Sequence, residues 1–170
     1  MKAMLSGLVP ALLLLGGCGP RIDDPSNMPR LGQWHREVRL AALVINDVRV
    51  DRKDSPFKIP PDIDETTDCA EPTVTRREEL DAQIKKQTDS LCRIDSIDHS
   101  GTTVSSKGSC GPEDKGGMTL SGTADLEAHE AEDHIDGHSS VQMLVRMPDG
   151  HSERVRAGFE AHWKRLGECR

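Results

Sequence analysis

From residue 33 onward, apolar and polar side chains alternate along most of the chain, which is the period of a strand with one buried face. Gln33 to Ile45 predicts such a strand, with Trp34, Val38, Leu40, Ala42 and Val44 on one face and His35, Glu37 and Arg39 on the other. Arg36 interrupts the inner face, which places it towards the strand's end. Asn46-Asp47 is a turn signal, and Val48-Arg49-Val50 starts a return strand. Residues 51 to 68 carry Pro56, Pro60, Pro61 and several aspartates, and predict an irregular connection with short extended pieces.

The period changes once. Pro72 to Gln87 predicts a helix: Thr75 and Glu78 fit a capping box, Leu80 and Ile84 lie four apart, and Asp81 can pair with Lys85. Its apolar stripe is narrow, so the helix belongs on the surface of a sheet, with Arg76-Arg77-Glu78-Glu79 as its solvated side. Alternation then resumes. Cys92 to His99 and Thr102 to Cys110 predict a hairpin around Ser100-Gly101. Met118 to about Ala128 follows, with Leu120, Gly122, Ala124 and Leu126 on one face. His134 to Met147 returns with Val141, Met143, Val145 and Met147 inward. Pro148-Asp149-Gly150 turns the chain, and His151 to Trp163 is the last strand. Short-looped successive strands imply a mainly β member of the α+β class: a curved antiparallel β-meander or partly closed barrel with one surface helix.

Composition sharpens this picture. The chain has no Tyr, two Phe and two Trp. Large aromatics supply much of a typical core, so this core must rely on Leu, Ile, Val, Met and Ala and will be thin. Disulfides then make physical sense, and five cysteines are present. Cys69, Cys92, Cys110 and Cys169 make an even set for two bridges. No Cys-x-x-Cys spacing points to zinc instead. Counting outward from Gly101 sets Cys92 nearly opposite Cys110, on the face of Ile94 and Val104, leaving Cys69 for Cys169. The competing arrangement closes the helix with Cys69–Cys92 and ties the tail through Cys110–Cys169. Both remain open at this level.

The fifth cysteine has a different setting. Lys2 precedes an apolar run from about Met4 to Leu15, interrupted by Ser6, Gly7 and Pro10 and too short to span a bilayer as a helix, which takes about 20 residues. The run ends in Leu15-Gly16-Gly17-Cys18, which resembles the lipobox of bacterial lipoproteins. That resemblance implies a signal peptide over residues 1–17 and a lipid, palmitate included, on Cys18. Residues 18–32 then form the attachment point and a tether, and residues 33–170 a single domain. Gly19 in place of Asp implies transfer to the outer membrane. Fully extended, the 14 residues from 19 to 32 reach roughly 45–50 Å. Removing 17 of 170 residues leaves 153, with 21 basic and 29 acidic side chains. That balance of −8 argues against a nucleic-acid partner, which needs a basic face.

Further along, Leu31-Gly32-Gln33-Trp34, Cys69 before the helix and Cys92 after it, Thr102 to Cys110, Leu120-Ser121-Gly122 and Leu166-Gly167-Glu168-Cys169 occur in an order that resembles a bacterial envelope family known as domain of unknown function 3617. The resemblance covers about residues 31 to 169. It implies an exported, often lipid-anchored protein and supplies no reaction. Members often carry Tyr where His134 and its neighbours stand here.

Candidate chemistry is sparse. His129, Glu130, Glu132, Asp133, His134, Asp136 and His138 form the one cluster of metal-ligand types. On a strand, His134, Asp136 and His138 project from one face, and His151 is placed to approach from the next strand. The plainer reading is a polar outer face with a charged turn, since no His-Glu-x-x-His spacing occurs. Gly108-Ser109-Cys110-Gly111 superficially resembles a nucleophile turn, but Cys110 is better used in a disulfide, and neither a Gly-x-Ser-x-Gly elbow nor a phosphate loop is present. Met118, Met143 and Met147 offer adaptable apolar surface for a small ligand, though core packing is their simpler role. The expectation is a monomeric, non-enzymatic structural or interaction protein of the envelope, without a cofactor, facing the periplasm and held by its lipid. An envelope protein is its expected partner. The alternative is a binding module for a metal ion or small apolar ligand.

Overall fold

A computed structural model describes residues 27–72 apart from 58 and 60, residues 81, 82 and 85, and residues 90–169 apart from 116. Its strands are β1 (Gly32–Ile45), β2 (Val48–Arg49), β3 (Ile63–Ala70), β4 (Cys92–Ser100), β5 (Thr103–Lys115), β6 (Met118–Glu130), β7 (His134–Arg146) and β8 (Ser152–Gly167). They form one antiparallel sheet in the order β2-β1-β8-β7-β6-β5-β4, with β3 also on β1. β4 bounds the sheet at one side, and β2 and β3 share the other. The sheet is therefore curved and open, not a barrel. The meander from β4 to β8 follows the alternation in the sequence, with strands longer than the pattern alone marks: β5 runs on to Lys115 and β8 to Gly167.

The concave face holds the core in two lobes. One gathers Leu43, Ile45, Phe57, Ile59, Leu91, Leu120, Met143, Val145, Val155 and Phe159. The other gathers Trp34, Ala70, Ile94, Leu126, Ala128, Ile135, Ala161 and Trp163. Val38 and Cys92 pack against both lobes and join them. Met143 is core, and Met118, Val141 and Met147 pack against the first lobe, the plainer of their two expected roles.

Three features depart from the sequence pattern. The register of β1 on β8 shifts between Leu40 and Ala42. This β-bulge adds one residue to β1, so Leu43 and Ile45 turn inward in place of Ala42 and Val44. Burying the larger side chains favours that phase, at about 25 cal/mol for each Å² of apolar area. Secondly, Arg36 stands mid-strand, not near an end, and is 3% exposed. Thirdly, β3 is a continuous eight-residue strand that begins inside the stretch expected to be irregular and runs past its end at residue 68. Most of its side chains are exposed, so it carries no apolar alternation and is held by its ladder to β1. Most of the expected helix at Pro72 to Gln87, with its Thr75/Glu78 box and Leu80/Ile84 stripe, lies outside the described residues. Asp81, Ala82 and Lys85 are described and helical. The Asp81–Lys85 pair forms at 2.6 Å, and Asp81 Oδ1 accepts the backbone N–H of Ile94 at 2.9 Å, tying this point to β4.

The disulfides are Cys69–Cys169 and Cys92–Cys110, the first of the two arrangements left open above. Cys92 and Cys110 are direct cross-strand partners because β4 carries an extra residue between Ile94 and Ser96. Without that bulge, Cys92 would face Gly111. The Cys69–Cys169 bridge arises differently. Gln33 pairs with Cys69 on one side and Gly167 on the other, so the tail crosses the start of β1 to reach β3. It closes a span of 100 residues against 18 for the other bridge. In the chain-entropy picture, such loops contribute about 5 and about 3 kcal/mol. Replacing Cys69 and Cys169 together by Ala is expected to cost about 2–5 kcal/mol, read by urea unfolding without reductant. An unchanged midpoint would refute this role for the bridge.

Candidate functional site

The sheet places the predicted chemistry on two faces. On the convex face, β7 projects His134, Asp136 and His138 side by side, all exposed. They share a face but do not converge. Residues two apart on a strand sit about 6.5–7 Å apart, and each side chain meets other neighbours first. Asp136 Oδ1 pairs with His162 Nδ1 at 2.8 Å, and His134 Nδ1 with Asp133 Oδ1 at 2.9 Å. The neighbour from β8 is thus His162. His151, expected there, lies before β8 and pairs with Asp149. Register then builds a pattern that the linear sequence hides. His129, Asp136, His162 and Glu37 form one cross-strand row, and Glu127, His138 and Glu160 the next. His129 Nδ1 contacts Thr103 Oγ1 at 3.1 Å. Among the described residues, no three His, Cys, Asp or Glu side chains are placed to hold a metal ion. The hydrogen bond from His134 lowers the Asp133 pKa, and the backbone N–H of His151 does the same for Asp149.

The concave face carries a second row. Arg36, Trp163, Ile135 and Glu130 are successive cross-strand partners on β1, β8, β7 and β6. The Arg36 guanidinium lies 5.2 Å from the Trp163 ring centroid, within cation–π range. It donates to both carboxylate oxygens of Asp68, through Nε at 2.9 Å and through Nη2. Asp68 reaches this position because β3 pairs Asp68 with Trp34. Nothing in the local pattern marks Asp68 as Arg36's partner; a lone arginine on an apolar face is the one signal that a carboxylate must come from elsewhere.

Glu130 ends the row. Its side chain is 1% exposed, and neither carboxylate oxygen has a hydrogen-bond partner. The nearest imidazole nitrogen, His99 Nε2, stands 3.8 Å from Oε2. Trp163 Nε1 is likewise buried without a partner. Burial raises the Glu130 pKa from 4.5 to about 7. The sequence places Glu130 in a polar run, and the polar reading fails because alternation along β6 carries it inward with Leu126 and Ala128.

Elsewhere, Cys110 is oxidised in its disulfide, which removes the thiol from Gly108-Ser109-Cys110-Gly111. A hollow of about 400 Å³ on the convex face is lined by Asp47, Gln142, Leu144, Arg154 and Arg156. Its two arginines are taken by Asp47, at 2.6 and 2.8 Å. No helix among the described residues is long and apolar enough to cross a membrane. No family model, curated protein or solved structure matches the chain.

The concave row sets two expectations. Removing one partner of a fully buried pair costs about 3–5 kcal/mol. Asp68 is 36% exposed, so Asp68→Ala is expected to cost about 2 kcal/mol, and Arg36→Met, which leaves no buried charge, less. Chemical denaturation of the two variants measures the order, and the reverse order would overturn it. For Glu130, the folded pKa lies above the unfolded one, so its protonated form is the one that favours the fold. That stability is fully present below about pH 4.5 and is lost as pH rises through about 7. At about 1.4 kcal/mol per tenfold step in acidity, the whole change is about 3 kcal/mol. Glu130→Gln should flatten this part of the stability profile. A wild-type midpoint that rises steadily from about pH 5 to about 7.5, with the Glu130→Gln variant following it, would contradict the assignment.

Proposed function

We propose that this chain is a lipid-anchored envelope protein, facing the periplasm, whose β-rich domain acts as a structural or interaction module without catalysis. The observation that carries the reading is the use of the cysteines. Four of the five are joined in disulfides, which form and persist in oxidising compartments. The fifth, Cys18, ends an apolar leader in a lipobox-like sequence. Export and anchoring account for all five together. The resemblance of the motif order to the envelope family supports the same address, and Gly19 supports the outer membrane.

The absence of a reaction in this reading rests on the state of the reactive groups. Cys110 is spent in a bridge. His134, His151 and His162 each pair with an exposed aspartate. Among the described residues, no strand flanks the outer side of β3 or β4, which leaves backbone for a protein partner except where Asp81 takes the Ile94 N–H. The charges on β3 (Asp64, Glu65 and Asp68) disfavour pairing with a second copy, in keeping with a monomer. A metal-binding module is the second reading, favoured by the shared exposed face of His134, Asp136 and His138 on β7.

The anchor is tested directly. One buried methylene contributes about 0.8 kcal/mol, so several acyl chains hold durably. Cys18→Ser is expected to move the full chain from the membrane fraction to the soluble one. Unchanged attachment would refute the lipid anchor. Crosslinking in the envelope is expected to recover one specific protein. A zinc-induced rise in melting temperature that vanishes in His134→Ala and His138→Ala would favour the second reading instead.

A further inference from the structure

We infer that Glu130 is a proton-operated latch: with its carboxyl protonated, the turn after β6 grips the segment leading into the domain, and with the carboxyl ionised, that turn opens and frees the segment. The inference does not depend on the proposed anchor.

The grip is a set of bonds around one turn. Residues 131–133 join β6 to β7. Arg30 donates its backbone N–H to Glu132 O at 3.1 Å, and its side chain pairs with Glu132 Oε1 at 3.5 Å. Trp34 Nε1 donates to Arg30 O at 3.0 Å. On the other flank of the turn, Arg165 N–H donates to Asp133 O at 2.8 Å, while the Arg165 guanidinium donates to Leu31 O at 2.7 and 3.0 Å. The lead-in residues 30–31 are thus held by the turn and by the end of β8 together.

Glu130 stands immediately before this turn, its own N–H bonded to Thr102 O at 2.7 Å. A carboxylate formed there has no hydrogen-bond donor waiting for it. β7 presents Ile135, and β5 sets Val104 opposite Ala128, two residues before Glu130; neither is charged. Trp163 lies on β8 and Arg36 on β1 beyond it, already paired with Asp68. β4 contributes His99, out of hydrogen-bond range. The acids of the turn face elsewhere: Glu132 pairs with Arg30 and Asp133 with His134, both largely exposed. Among the described residues, an ionised Glu130 is therefore met by one imidazole and by no hydrogen-bond donor. Water offers the better partner, and the turn that follows Glu130 directly is the segment whose displacement would admit it. An unpaired buried carboxylate costs enough to move a short turn.

Hydrogen exchange of the full-length oxidised chain in detergent tests this, after correction for intrinsic exchange. With a folded pKa of about 7 and an ordinary value in the open form, opening should rise about tenfold per pH unit between about 5 and 7 and level off above that. Amides of residues 30–34 and 131–135 should follow this curve, independently of low urea. Those of 141–145 in β7 should remain urea-dependent. Glu130→Gln should hold the latch amides protected at every pH. The latch is overturned if wild-type protection there does not change with pH, if the change persists in Glu130→Gln, or if the latch amides exchange only in step with β7 under urea. The wild-type urea series alone decides between local and global opening, so the test stands even if Glu130→Gln fails to fold.

Discussion

An eight-stranded sheet that curves without closing has a trough to fill, and this chain has four aromatic residues with which to fill it. All four are buried: Trp34, Phe57, Phe159 and Trp163. The remaining volume falls to aliphatic side chains, and at one end of the trough to the stem of an arginine. Arg36 covers Trp163 with its guanidinium plane and draws Asp68, and with it β3, against the sheet. A long charged side chain can replace a missing aromatic only if its charge is answered. The edge strand, the bridge to the tail and the placement of the second Trp are all arranged around that requirement.

The same shortage explains the disulfides. Among the described residues no further strand flanks either edge of the sheet, and each bridge reinforces one: Cys92–Cys110 at β4, Cys69–Cys169 at β3. Restricting the unfolded chain adds stability where burial adds little. Stability in this domain is therefore concentrated at its margins as well as in its centre.

Most of the meander was legible in the sequence because β6, β7 and β8 bury one face and expose the other, and alternation records that asymmetry. β3 was illegible for the same reason in reverse. Its ladder to β1 lies in the backbone, and its exposed side chains leave no periodic trace. The bulges at Leu40–Ala42 and Ile94–Ser96 were hidden because a local pattern cannot show an extra residue whose effect depends on the partner strand. At the candidate site, the shared face of His134, Asp136 and His138 follows from a period of two. Their neighbours do not: replacing His151 by His162 as Asp136's partner needs the register of β8 on β7. Glu130 looked like one more acid in a polar run; its phase along β6 separates it from Glu127, and the end of the strand separates it from Glu132.

The crossing of the tail over the start of β1 has a mechanical consequence. Gly32 and Gln33 are flanked by β3 on one side and the end of β8 on the other, and the Cys69–Cys169 bridge locks those two flanks to each other. A pull on the chain ahead of Gly32 cannot peel β1 from one neighbour at a time. It must shear two ladders held at a fixed separation, so tension on that segment would be shared across three strands at the point where it enters the domain.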